Sequence, residues 1–229
     1  MLCALLVCTL YASFIALAKQ NFLYPVAYDM LDIDRTIAEF GRINRNKPGF
    51  HTTAQEEHYR LFAEIVDSVM NDGEGLDSID YRGPDGDVID TMLTPNEQIH
   101  LQDVANLINT IDVIGVAALG LFVALLLLSL YTGWRSIEIW RIHLVGGGII
   151  TGLIVLVITF GAVDVFYAAH TWVFPAGHQW FFYYEESLMT TLMKAPDLFG
   201  VIAVELGVLA LVLYSLCLYS LKRVLLNST

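Results

Sequence analysis

Charge is scarce in this chain of 229 residues. Asp, Glu, Lys and Arg make up 16 % of it, where a soluble globular chain carries about 25 %. With 56 % hydrophobic residues beside that shortage, a cytosolic enzyme and a disordered chain are excluded. Positive charge is scarcer still. Twelve Lys and Arg stand against 24 Asp and Glu, a net charge of −12, which leaves no basic surface for nucleic acid. Cysteine is reduced to Cys3, Cys8 and Cys217, each inside an apolar run. No CxxC or Cys/His zinc spacing exists, and the long polar segment, which has no cysteine, is expected to fold without disulfides. Cys8 follows Leu5-Leu6-Val7 as in a lipoprotein cleavage site, but without a basic leader. Gly-x-Ser-x-Gly, His-Glu-x-x-His and the P-loop are all missing, as are internal repeats and low-complexity tracts.

What the chain does have is four apolar runs: Leu2–Ala18, Ile111–Tyr131, Ile142–Val163 and Phe199–Leu221. A helix needs about 20 residues to cross a bilayer. The first run is at the short limit and ends Ala16-Leu17-Ala18, like a signal-peptidase site. With no Lys or Arg ahead of it, it is read as a retained helix. Arg135 and Arg141 between the second and third runs, and Lys222 and Arg223 after the fourth, belong in the cytoplasm by the positive-inside rule. The expected fold is an all-α membrane protein. It has four transmembrane helices and a helical extracytoplasmic segment between helices 1 and 2. The boundaries follow: helix 1 over 1–18, the outer segment over 19–109, helices 2–4 over 110–221 with an aromatic outer loop at 164–198, and a cytoplasmic tail at 222–229.

The outer segment holds 17 acidic against 7 basic residues. Tyr28–Ile43 and Ala54–Met70 carry apolar residues at helical spacing, while Asn71–Asp90, rich in Gly and Asp, reads as a loop. Thr94-Pro95-Asn96-Glu97 is a capping box with Pro at the first helical position. It starts a helix that runs through His100 toward the second apolar run.

Candidate chemistry gathers on that helix and in the aromatic loop. Glu97, His100 and Asp103 are three apart and share a face. A carboxylate one turn from an imidazole can hold its tautomer, as general-base histidines require. The same spacing also suits an exposed polar face with ion pairs. His170 and His178 stand among Phe166, Trp172, Phe174, Trp180 and their neighbours, an aromatic belt at headgroup depth, where an imidazole can exchange protons near neutral pH. Asp112, Asp164 and Glu205 sit near outer helix ends on the same side and suggest a polar cavity, or simple caps in the headgroup layer. Gly146-Gly147-Gly148 with Gly152 suits close helix packing. His143 is isolated, and His51 and His58, which could be ligands, read rather as solvated positions at helix ends.

Two stretches carry a family resemblance. Glu97-x-x-His100-x-x-Asp103-Val104 stands before the second run. Phe166-x-x-x-His170, Phe174-Pro175 and Trp180-x-Phe182 follow the third. In order and topology the chain resembles the bacterial lipoprotein intramolecular transacylase family, Lit, and its integral-membrane relatives, over nearly its whole length. Two features depart from the family pattern: Glu186-x-Leu188 has Glu in place of Asp, with Pro196 late, and His178 is additional.

The resemblance implies an acyltransferase of the bacterial cytoplasmic (inner) membrane, with its active site toward the outer leaflet. It moves the sn-2 acyl chain of a diacylglyceryl lipoprotein to the α-amine of the N-terminal cysteine and leaves a lyso-form lipoprotein. It makes His100 and His170 the catalytic pair; the residues around them, read on their own chemistry, put Glu97, Asp103, Tyr167, Trp172 and Trp180 in support. Asp103 is a candidate orienter of His100, and Tyr167 and Trp172 are candidate oxyanion donors. Such a reaction needs positioning rather than a cofactor or metal. The partners implied are the lipoprotein substrate and membrane lipid, with no nucleic acid and no obligate protein partner. Two other readings fit the residues: a non-enzymatic membrane partner or chaperone of envelope proteins, and a metal-dependent membrane hydrolase using His100, Asp103, His170 and His178.

Overall fold

The structure, a computed structural model, describes residues 1–133, 146, 148, 152, 155 and 159–227. Its helices are α1 (Leu2–Ala18), α2 (Tyr24–Met30), α3 (Ile33–Ile43), α4 (Gln55–Met70), α5 (Pro95–Thr132), α6 (Ala162–Val173), α7 (Leu188–Met193) and α8 (Asp197–Asn227), with two short strands, β1 (Asp80–Arg82) and β2 (Val88–Thr91). They form two compact units. One comprises Met1–Ala16, Ile111–Ala168 and Val204–Thr229, and the other Leu17–Thr110 and Ala169–Ala203.

The first unit is built from apolar helices. Leu5 of α1 packs with Leu218, Leu221 and Leu225 of α8, and Phe122 and Leu126 of α5 close the cluster. Gly115 of α5 lets α1 approach closely: a Cβ built there would lie 2.4 Å from the Tyr11 ring. The outward faces stay apolar and exposed, at Val113, Val116, Leu127, Val204 and Val208 among others, as expected of helices facing lipid rather than water.

Among the described helices, Pro95–Thr132 and Asp197–Leu225 are long and apolar enough to cross a membrane. Helix α1 spans only 17 residues, about 25 Å at 1.5 Å per residue, and meets the same test only together with Asn21–Met30. Most of the third apolar run, Ile142–Val163, and with it Arg135, Arg141 and His143, lies outside the described residues.

The second unit is polar outside and aromatic within. Tyr24 stacks on Phe62 with ring centroids 4.0 Å apart and donates its hydroxyl to the carbonyl of Leu192, 2.7 Å away, tying α2 to α4 and α7. Ile33 and Ile37 of α3 and Leu61 and Ile65 of α4 are buried as the periodicity predicted, whereas Met30 and Ile43 at the ends of the pattern are exposed. The expected helix Tyr28–Ile43 is broken in two. The chain stops α2 at Met30 and restarts after Asp32, whose backbone is left-handed at φ 50. Asp tolerates that conformation better than most residues. The Lys194 ammonium bonds the carbonyl of Leu31 that the break sets free.

The expected loop Asn71–Asp90 also needs correcting, because it contains an antiparallel hairpin. Tyr81 pairs with Asp90 and Asp80 with Thr91, around a turn that ends in Gly86 at φ 84, the left-handed position glycine fills without strain. Tyr81 anchors the hairpin, buried and bonded to the carbonyl of Pro48 at 2.6 Å.

His58 is not a solvated residue at a helix end but part of this core, with 4 % exposure. Its Nδ1 lies 2.8 Å from the Tyr28 hydroxyl and its Nε2 2.7 Å from Thr53 Oγ1. The Thr53 hydroxyl spends its one proton on the Phe50 carbonyl, so it accepts from His58. Nε2 therefore carries the proton, and Nδ1 accepts from Tyr28.

Candidate active site

Helix α5 begins at Pro95, as its capping box predicts. Oε2 of Glu97 accepts from the Thr94 amide at 2.6 Å, the half of the box that satisfies an orphan donor. The Thr94 hydroxyl also turns toward this carboxylate and donates to it at 2.6 Å. The other oxygen, Oε1, accepts from the hydroxyl of Ser187. Ser187 is the N-cap of α7 and receives the Thr190 amide at 2.9 Å. Glu97 has no solvent exposure. Its burial pushes the carboxyl upward, against the opposing pull of these donors.

One turn along α5, His100 is 8 % exposed. Its ring centroid lies 6.3 Å from that of His170 on α6, 4.9 Å from Phe174 and 6.0 Å from Phe182. His170 in turn lies 5.2 Å from Phe174 and 5.1 Å from Trp180. Two imidazoles thus share a pocket walled by aromatic rings. Nδ1 of His100 is buried with no hydrogen-bond partner among the described residues. His100 precedes the apolar run of α5, and its pKa falls to about 4. Burial is the chief cause, the neighbouring His170 adds to it, and Asp103 opposes it.

A further turn along, Asp103 Oδ2 lies 2.7 Å from Nδ1 of His178, and at the helix start Asn96 donates to Gln179 at 2.9 Å. The polar face of α5 from Asn96 to Asp103 is therefore matched position by position to the segment 170–187.

A family model described as "Lipoprotein intramolecular transacylase Lit" matches residues 1–195. The chain belongs to the Lit family. It is accordingly an enzyme, a membrane transacylase that modifies lipoproteins. Two solved structures have the same fold, both of the membrane-integral lipoprotein intramolecular transacylase Lit from Bacillus cereus. One, of a single-substitution variant, gives a TM-score of 0.64 at 19 % identity over 98 % of this chain and 88 % of that one. The other gives 0.62 at 20 % identity over 99 % and 92 %. No curated protein sequence matches.

For this Lit-family chain, the fold brings some predicted site residues together and leaves others apart. His100, His170 and Trp180 converge. Glu97 is a buried clamp between α5 and α7, without the role of partner to His100. Asp103 accepts its hydrogen bond from His178, although the sequence spacing pointed to His100. Trp172 is 88 % exposed and is not packed against the histidine pair. Tyr167 stands three residues before His170 on α6, its ring 6.0 Å from Phe166, in the apolar unit. Asp112, Asp164 and Glu205 also belong to that unit. Asp112 Oδ1 and Glu205 Oε2 are buried there without a hydrogen-bond partner among the described residues.

Sequence reasoning missed Phe174 and Phe182 as walls of the pocket, and Ser187 as the partner of Glu97. The signal for Ser187 was local: a Ser three residues ahead of Thr190, directly before the apolar Leu188-Met189, marks a helix start.

Proposed function

We propose that His100 and His170 are the acid–base pair of this transacylase. They move the sn-2 acyl chain of a diacylglyceryl lipoprotein onto the α-amine of its N-terminal cysteine. The observation that carries this reading is the 6.3 Å separation of the two rings inside one aromatic pocket. The attacking amine must give up a proton and the departing glyceryl oxygen must gain one. One imidazole accepts the first proton and the other supplies the second. Rings this close can then pass a proton between them through one water, and so reset for the next turnover. They also repel each other's charge, which disfavours protonating both at once. Burial keeps His100 neutral near pH 7, free to accept, and makes its conjugate acid a strong donor. The aromatic walls of Phe174, Phe182 and Trp180 exclude water that would hydrolyse the ester.

In this reading the chain crosses the bacterial cytoplasmic membrane four times with both termini inside. The unit that holds the pair then faces the outer leaflet, where diacylglyceryl lipoproteins reside. Support comes from Arg135, Arg141, Lys222 and Arg223. Neither alternative gains support from the comparisons. Among the described residues, no three His, Cys, Asp or Glu side chains converge as metal ligands. The test is mass spectrometry of lipoprotein N-termini from cells expressing His100→Ala or His170→Ala. Both variants should make no lyso-form while accumulating in the membrane like the wild type. Lyso-form at wild-type level from either one overturns the assignment.

A further inference from the structure

The reaction outlined above leaves one imidazole of this region unused. Asp103 follows His100 by three residues on α5, so the two side chains share a face. Oδ2 of Asp103 lies 2.7 Å from Nδ1 of His178. A carboxylate only accepts, so Nδ1 carries the proton and Nε2 of the neutral ring keeps its lone pair. The Asp103 side chain is 11 % exposed and that of His178 45 %. The oriented end of the ring is sheltered, and the ring itself reaches solvent. Two further bonds hold the segment in place: the His178 amide donates to the Pro175 carbonyl at 3.2 Å, and the adjacent Gln179 is bonded by Asn96. The titratable groups gathered at this corner are Asp103 and His100 from α5 and His170 from α6.

The chemistry calls for a group of this kind. A free α-amine has a pKa of about 7.7–8.0, so near neutral pH the substrate arrives mostly as an ammonium. Acyl transfer itself moves one proton from nitrogen to oxygen, which the histidine pair handles. The extra proton of the ammonium must reach bulk water, and His100 is too deeply buried to deliver it there.

We propose that Asp103 and His178 form a second acid–base site, which receives the substrate α-ammonium and carries its surplus proton to solvent before acyl transfer. This rests on the reading of His100 and His170 as the transfer pair. An N–H bond of the ammonium breaks, its proton goes to Nε2 of His178, and the electron pair stays on nitrogen. Asp103 stabilises the imidazolium, which releases the proton to water. The neutral amine then attacks the ester carbonyl. The C–N bond forms, the C–O bond breaks, and the proton lost by the amine is balanced by the one gained by the glyceryl oxygen.

The experiment is a pH profile of kcat/KM for the purified full-length enzyme. The substrate is a synthetic diacylglyceryl-cysteinyl peptide, with product read by mass spectrometry. His178→Gln and Asp103→Asn are compared with the wild type. Without the dyad, the rate should follow the fraction of free amine. It should rise about tenfold per pH unit below pH 8 and come within about twofold of the wild type by pH 9. Recovery at high pH also shows that the variants are folded. A His178→Gln enzyme equal to the wild type at every pH overturns the dyad and leaves the transfer pair standing. A deficit that is constant across pH makes His178 a structural residue and also overturns it. If His100→Ala, run in parallel, still makes product, the transfer pair falls and this inference falls with it.

Discussion

The Ser187 hydroxyl donates to Glu97 across 90 positions of sequence, and the carboxylate it reaches is wholly buried. That bond joins the first turn of the helix carrying His100 to the short helix α7 within segment 164–198, so one side chain caps α5 and ties it to the cap of α7. Removing the carboxylate strands the hydroxyl and the buried amide donors. Glu97→Ala should therefore cost about 3 kcal/mol or more in thermal unfolding of the purified protein, and Ser187→Ala about 1–3 kcal/mol. Both variants should lower lyso-form production more at elevated temperature than at low temperature, because they loosen the site without removing its acid–base groups.

Acid should destabilise the polar unit through its buried histidines. The pKa of His58 is lowered to about 4, chiefly by burial, and that of His100 likewise, against about 6.5 in an unfolded chain. Between those values the unfolded chain binds more protons than the folded one. The stabilisation is complete above pH 6.5 and is lost as pH falls toward 4. Each histidine accounts for about 3 kcal/mol at the full difference. Unfolding midpoints measured from pH 7.5 to 4 should fall through this window, and His58→Gln should flatten the slope. A midpoint that does not change with pH would contradict the buried neutral assignment.

The contact between Gly115 and Tyr11 predicts an overpacking defect. A Cβ at Gly115 would stand 2.4 Å from the ring, so Gly115→Ala should destabilise by about 1–3 kcal/mol. In a Tyr11→Leu background the same substitution should cost clearly less, since the obstructing ring is gone. A double-mutant cycle on detergent-purified protein measures the difference.

The proposed topology predicts the behaviour of reporter fusions. A fusion after Thr229 should be active only with a cytoplasmic reporter, and one placed in Asn71–Asp90 only with a reporter that works outside the cytoplasm. An external C-terminus sinks the four-span reading. A mature N-terminus at Lys19 would instead show that the first run is removed.

The elements that the sequence determined by itself are those whose cause is local. Helix α1 covers Leu2–Ala18, the bounds of its apolar run, because a continuous apolar stretch satisfies its own backbone as a helix. Helix α5 starts at Pro95 because the Thr94 amide and hydroxyl both donate to the Glu97 carboxylate across a single turn. The two histidines whose rings lie 6.3 Å apart stand in the motifs that carry the family resemblance, and the buried faces of α3 and α4 follow a period near 3.6.

The partners of the carboxylates were not legible in this way. The spacing of His100 and Asp103 suggested that they would bond each other, yet Asp103 bonds His178, 75 positions away. Glu97, read either as a supporting residue of His100 or as part of an exposed polar face, is buried against Ser187. The break at Asp32 and the hairpin around Gly86 also overrode the local pattern, one by a left-handed residue and the other by strand pairing. A hydrogen bond that closes a long loop depends on where the packed core fixes both segments. Neither segment carries that information alone, so the tertiary structure decided which carboxylate faces which imidazole.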